Sequence, residues 1–267
     1  MLLFLIAQHL GLDIMTCDAS NAFVTAPNSE KAWAHAGDEF GDRKGCKVET
    51  QRALYGLAGS ARAFADFLAD TLIRLDFKPS RADPDLWIKR SKTGYDMIAT
   101  HVDDLIIVSK TPQECISLIE QEYALRNVEP DPSYYLGSRL KRLENGRIQM
   151  NMEEYSKEAI RKYESKHNLS LKKENIPISP DAKPEIDETD LLALDEHREF
   201  QHVIGLCQWM IIRGRIDIAF ATTSLSRFSA GPRKGHLKLA RKILGYLKKF
   251  PKKGIAMNPA PPIVNKS

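Results

Sequence analysis

The chain of 267 residues is 43% apolar, enough for about one to two folded domains, which excludes a disordered polypeptide. A net charge of +4 is too mild to name a polyanionic partner, and four cysteines and seven histidines without metal-site spacing argue against structural zinc and for a reduced, intracellular protein. No run reaches the roughly 18 apolar residues that cross a bilayer, so no membrane partner is expected.

Residues 2–10 read as a helix stopped at Gly11, and the opening MLLFLIA lacks the length and flanks of a signal peptide. Leu12, Ile14 and Thr16 alternate with Asp13, Met15 and Cys17, a strand that delivers Asp18 at its end. Residues 24–48 mix Pro, Asn, Gly and charge, which predicts loop with short strands. From Ser60 to Phe77, Ala61, Phe64, Phe67, Leu68, Leu72 and Leu75 recur at helical spacing, with Ser60 as N-cap. Met97–Ser109 (MIATHVDDLIIVS) reads as a hairpin with two carboxylates at its tip. Thr111 opens another helix, with Glu114 in capping-box position.

Residues 134–152 predict a second hairpin turning at Glu144-Asn145-Gly146, and residues 153–167 a helix. Residues 168–199, with Pro177, Pro180, Pro184 and most of the local acids, predict a linker; residues 200–250 are mostly helical. In the last helix Leu237, Ala240, Ile243, Leu244, Leu247 and Phe250 form one face, and Lys238, Lys242, Gly245 and Lys249 another. Asp217 is the last acid, and ten bases from Arg227 to Lys253 follow it. Attraction for phosphate and a solvated face fit that run equally well.

Two features carry chemistry. Asp18 ends a strand five residues before Phe23 in DASNAF, and Val102-Asp103-Asp104 joins two apolar strands. Adjacent carboxylates repel, so a core has no use for them unless a cation sits there. With a third carboxylate from a neighbouring strand they could hold two divalent ions roughly 3.5–4 Å apart, as phosphoryl transfer requires. Oxygen-only ligands favour magnesium over zinc. The plain alternative is an exposed turn.

The sequence resembles the reverse transcriptase of copia-type LTR retrotransposons. Asp18-Ala-Ser-Asn-Ala-Phe23 resembles the first catalytic motif, and Arg52-Ala-Leu-Tyr-Gly-Leu57 with Ser60, Arg62 and Phe64 the Ala-Leu-Tyr-Gly-Leu segment. Phe77–Asp83 is similar to the stretch Gly-Phe-x-x-Ser-x-x-Asp, and His101-Val-Asp-Asp104 to Tyr-Val-Asp-Asp. Tyr135-Leu-Gly137 and the hairpin after it resemble the primer grip. Ile204-Gly-Leu206, Arg215-Ile-Asp-Ile-Ala219, Leu225-Ser-Arg-Phe228 and Ala240-Arg-Lys-Ile-Leu-Gly-Tyr-Leu247 resemble the closing segments.

The resemblance implies an α+β right-hand polymerase: a palm of antiparallel sheet with helices on one face, partial fingers and a helical thumb or connection. It implies palm and partial fingers over 1–130, a primer-grip hairpin and helix over 131–167, the linker 168–199, a thumb or connection over 200–255 and a tail over 256–267. It makes Asp18, Asp103 and Asp104 the catalytic residues and ligands of two Mg2+ ions, or of Mn2+. Ala19 (through its backbone N–H), Phe23, Tyr55 and Gly56 would bind the deoxynucleotide, Phe23 as the ring that leaves no room for a 2′-hydroxyl or, alternatively, as a core residue. Tyr135 and Gly137 would grip the primer, and Lys238, Arg241, Lys242 and Lys249 would track the nucleic-acid backbone. The implied partners are deoxynucleotides and an RNA or DNA template-primer, with a tRNA the family's usual primer. The implied location is a cytoplasmic particle or the nucleus. Whether the protein dimerises stays open.

Several positions depart from the family pattern. His101 replaces Tyr, Asp76 replaces Gly, and Ala58 and Ala61 replace Lys and Pro. On the family pattern an upstream fingers segment is expected before the first motif, and an RNase H domain is expected to begin near Pro259-Ala-Pro-Pro262. The expectation is a polyprotein fragment acting as an RNA-directed DNA polymerase. The alternative is a catalytically silent remnant that still binds nucleic acid. A nucleotide cyclase on a similar sheet would leave the Ala-Leu-Tyr-Gly-Leu segment unexplained.

Overall fold

Strand alternation and helical spacing carry through into a computed structural model that describes residues 2–28, 30–258 and 260. It is a mixed structure of antiparallel sheets and helices, in two units, Leu2–Pro132 and the residues from Ser133 on. The expected tail at 256–267 lies mostly outside the described residues.

The first unit runs α1 (Leu2–Leu10), β1 (Asp13–Ala19), α2 (Ala22–Thr25), β2 (Trp33–His35), β3 (Lys47–Glu49), α3 (Ser60–Arg74), β4 (Lys78–Pro79), β5 (Leu86–Ser91), β6 (Gly94–His101), β7 (Asp104–Ser109), α4 (Pro112–Glu120) and β8 (Leu125–Pro130). Six strands form an antiparallel sheet in the order β4-β5-β6-β7-β1-β8, while β2 and β3 pair separately. Met15 and Cys17 on β1 and Leu105 and Ile107 on β7 share a core with Phe64, Leu68 and Leu72 of α3 and Ile116 and Ile119 of α4. Burial of each such aliphatic or aromatic side chain contributes about 1.5–3 kcal/mol. Alternation turns Ile14, Ile106 and Val108 the other way, and α1 packs on β1 and β7 outside that core. Hence β7 reads as an unbroken apolar run, and the expectation of helices on one face alone is incomplete.

Two expected caps are replaced by other bonds. Gly59, not Ser60, precedes α3, and Ser60 Oγ accepts from the Leu54 N–H (3.1 Å) and donates to the Leu54 carbonyl (2.6 Å). The hydroxyl thereby closes the loop carrying Tyr55 and Gly56. Thr111 does precede α4, but no side chain caps it, and the Glu114 N–H donates to the Thr111 carbonyl.

The second unit comprises β9 (Tyr134–Tyr135), β10 (Ser138–Arg142), β11 (Ile148–Asn151), α5 (Glu153–His167), α6 (Leu194–Ile212), α7 (Ala219–Ser226), α8 (Lys234–Lys249) and β12 (Gly254–Ala256). Its sheet runs β12-β11-β10-β9, and its core joins Tyr163, Phe200, Ile204, Met210, Ile243 and Leu244. The expected linker is shorter than 168–199, since α6 begins at Leu194. It is also not free: Leu171 and Pro184 are buried, and buried His236 donates from Nε2 to the Pro184 carbonyl (2.8 Å) while Nδ1 accepts from the Arg233 N–H.

Gly245 likewise leaves the expected polar face of α8. A Cβ there would stand 2.2 Å from the Lys172 carbonyl oxygen, so the linker backbone lies directly on this glycine.

Candidate active site

The hairpin β6–β7 closes with Val102 and Asp103 at its tip, since His101 pairs with Asp104. Val102 has φ 57, a left-handed conformation that strains a β-branched residue. Asp104 starts β7 directly opposite Asp18 on β1. By alternation both carboxylates point to the sheet face away from α3 and α4. Burial above all pushes the Asp104 carboxyl up to about 6; a hydrogen bond with Asp18 and the negative charges of Asp18 and Asp103 add to this, and Arg126 opposes it. The neighbouring Cys17 thiol is raised to about 12 by burial above all and by the charges of Asp18, Glu120 and Asp104, so it supplies no nucleophile at neutral pH.

On the other side of β1, the pairing with β8 shifts register between Thr16 and Asp18, and Asn127 takes φ 51. This bulge brings two consecutive β8 residues to one carboxylate. Asn127 Nδ2 donates to Asp18 Oδ2 (2.6 Å), and Arg126 Nε lies 3.6 Å from the same oxygen. Arg126 Nη2 also lies 3.8 Å from Asp103 Oδ2. Neither residue belongs to a motif, and no periodicity marks them. Only the bulge reveals them.

Among the described residues no group of three or more His, Cys, Asp or Glu stands in metal-holding geometry. The donor chemistry nevertheless fits a hard divalent cation. Three carboxylates crowd one strand end, and a guanidinium and a raised carboxyl pKa answer their charge.

Ala19 is placed differently from expectation. Its N–H donates to the Asp103 carbonyl at 2.8 Å, which ties β1 to the hairpin tip and leaves it committed within the protein. Phe23, on α2, is partly buried against the first core. Its ring lies 4.5 Å from that of exposed Tyr55 and 6.3 Å from Phe64. It is thus both a core residue and the floor beneath Tyr55. Gly56 has φ 99, open to glycine at little cost.

In the second unit, Tyr135 ends β9, and Leu136 (φ 46) and Gly137 (φ 81) turn the chain into β10. Met152, Tyr155 and Trp209 lie beside Gly137.

Three bases of the run are paired with acids on folding. Arg241 pairs with buried Glu199 (Nη2 to Oε1, 2.7 Å) and donates to Tyr163 Oη (2.9 Å). Lys248 pairs with Glu164 (2.7 Å), Lys234 with Asp190 (2.8 Å), and Lys249 donates to Asn175. Among the described residues Lys238 and Lys242 form no such bond; they line a cleft of about 710 Å³ with Lys172, Lys183 and Leu239. Asp190 and Glu199 of the supposed linker, with Glu164 of α5, therefore meet bases of α8, and of the expected backbone-binding set Lys238 and Lys242 make neither ion pair nor hydrogen bond among the described residues. Buried Arg215 makes a bidentate pair with Asp217 (both bonds 2.9 Å), and Tyr246 Oη donates to the same carboxylate.

Residues 1–179 match the family model described as reverse transcriptase (RNA-dependent DNA polymerase). The chain belongs to this family. It is 24% identical over 255 residues to the retrovirus-related Pol polyprotein from transposon RE1 of Arabidopsis thaliana, covering 94% of this chain and 17% of that protein. It is 25% identical over 236 residues to the putative transposon Ty5-1 protein of Saccharomyces cerevisiae, covering 86% and 74%. The Pol polyprotein from transposon TNT 1-94 of Nicotiana tabacum is 22% identical over 260 residues, covering 91% and 19%. The relatives are transposon proteins, Pol polyproteins of copia-type retrotransposons among them, to which this reverse transcriptase domain is similar. The chain spans 17% and 19% of the two plant polyproteins.

Proposed function

We propose that this reverse transcriptase domain is an RNA-directed DNA polymerase that adds deoxynucleotides to a primer 3′-hydroxyl. The observation that carries the reading is the convergence of Asp18 and Asp104, paired across β1 and β7, with Asp103 at the hairpin tip. In this reading the first unit acts as palm with partial fingers, and the helices of the second as thumb or connection.

Asp18 and Asp103 would hold the divalent ions that such domains use, with Asp104 assisting. Bound there, such ions would supply activation of the 3′-hydroxyl and neutralisation of the charge on the triphosphate and departing pyrophosphate. Phe23, held from below by Phe64, supports the sugar and excludes a 2′-hydroxyl, while Tyr55 and Gly56 lie against the incoming nucleotide. Tyr135 and Gly137 orient the primer end. Lys238 and Lys242 meet backbone phosphates, reading shape and charge rather than sequence. The partners are a template-primer, with a tRNA one primer such a domain could use, and the remaining polyprotein segments; particle or nucleus is the fitting location.

A second reading, a silent domain that retains nucleic-acid binding, is favoured by the Ala19 N–H being bonded to the Asp103 carbonyl instead of free for a triphosphate. Asp18→Asn separates the two. Polymerase function predicts loss of deoxynucleotide incorporation at least about 100-fold, with template-primer affinity within about threefold. Equal incorporation by parent and variant refutes the assignment.

A further inference from the structure

Arg126 approaches two of the three carboxylates through the same atoms that a metal would use. Its Nε lies 3.6 Å from Asp18 Oδ2 and its Nη2 3.8 Å from Asp103 Oδ2. The Asn127 amide donates to that Asp18 oxygen at 2.6 Å. A regular strand would send one of these neighbours to the opposite face; the bulge at β8 holds both on Asp18.

Building on the metal-dependent reading above, we propose that Arg126 competes with the divalent cation for Asp18 Oδ2 and Asp103 Oδ2 and thereby sets how tightly this chain takes metal. A cation bound at these carboxylates would draw on the same negative charge that the guanidinium neutralises, and two positive charges there would repel. Arg126 is able to leave: its side chain is 54% exposed, and exposed ion pairs are weak. Asp18 is less exposed, at 24%, so its oxygens stay in place for whichever cation is present. Arg126 thus acts as a countercharge that stands against the carboxylates and yields them to metal.

Mn2+ titration of the full chain, followed by the electron paramagnetic resonance of the free ion, tests this without any activity readout. Arg126→Ala is expected to bind Mn2+ about three- to tenfold more tightly, Arg126→Lys to fall between, and Asp103→Asn to lose most binding. Thermal unfolding in chelator checks that each variant folds. Equal Mn2+ affinity in parent and Arg126→Ala, with loss in Asp103→Asn, overturns the competition while leaving the polymerase reading intact. No Mn2+ bound by parent or Arg126→Ala overturns the metal reading and the competition with it.

Discussion

Asp18 on β1 faces Asp104 on β7 as a registered cross-strand pair, two acids directly opposite each other in an antiparallel ladder. Like charges so placed are destabilising, and here they are kept at the cost of stability.

Replacing one of them should therefore help the fold and harm the chemistry. Asp104→Asn is expected to raise stability in chelator at neutral pH by about 0.5–1 kcal/mol, a figure discounted for solvent screening because the side chain is half-exposed. Urea unfolding reads the gain, and primer extension by the same variant is expected to fall. A destabilised variant would show that the pair is not in conflict.

Phe23 packs on Phe64 and under Tyr55, so its ring has little freedom to yield. Phe23→Ala is expected to lower discrimination against ribonucleotides about 10- to 100-fold, measured as the ratio of kcat/KM for deoxynucleotide over ribonucleotide. Unchanged discrimination would leave Phe23 a core residue alone.

The lysines of α8 separate by their partners. The double substitution Lys238→Ala and Lys242→Ala should lower the slope of log affinity against log salt by about 1.8 for a duplex template-primer, without loss of fold. Arg241→Ala is instead expected to destabilise by about 1–2 kcal/mol, since it leaves buried Glu199 with only Tyr163 and His167 beside it. Binding titrations over a salt series and thermal unfolding distinguish the two effects.

Buried Arg215 makes the helical unit sensitive to acid. Burial pushes the Asp217 carboxyl up, but the Arg215 and Tyr246 bonds outweigh it and hold its pKa below the usual range. A carboxylate depressed in the folded state contributes stability that is fully present above its unfolded pKa of about 3.9 and is lost as pH falls below it. Stability followed by urea unfolding should drop through that acid range. Asp217→Ala should be less stable by about 3 kcal/mol at pH 7 and should flatten the acid dependence.

Much of the fold was legible because its signals are local. The alternation before Asp18 and the run Leu105–Val108 after the acids each sit within one element, and the turn at Asn145-Gly146 joins two adjacent strands. The acids of the site were legible for the same reason, since adjacent carboxylates between apolar strands have few structural uses. What escaped depends on partners distant in sequence. Arg126 and Asn127 reach Asp18 through a bulge in β8, and no periodicity announces a bulge. Gly245 was read as solvent-facing from its helical spacing, whereas the Lys172 carbonyl covers it. The proline-rich stretch 168–199 read as a linker because nothing local shows that its Asp190 and Glu199 are countercharges for α8.

The central claim, that these three acids carry out nucleotidyl transfer, is tested most directly by single-nucleotide primer extension on an RNA template, comparing the parent chain with Asp103→Asn. The account predicts incorporation by the parent in Mg2+ or Mn2+, lost in the variant while template-primer binding persists. Equal incorporation by both proteins, or none by the parent on a template-primer it binds, would contradict it.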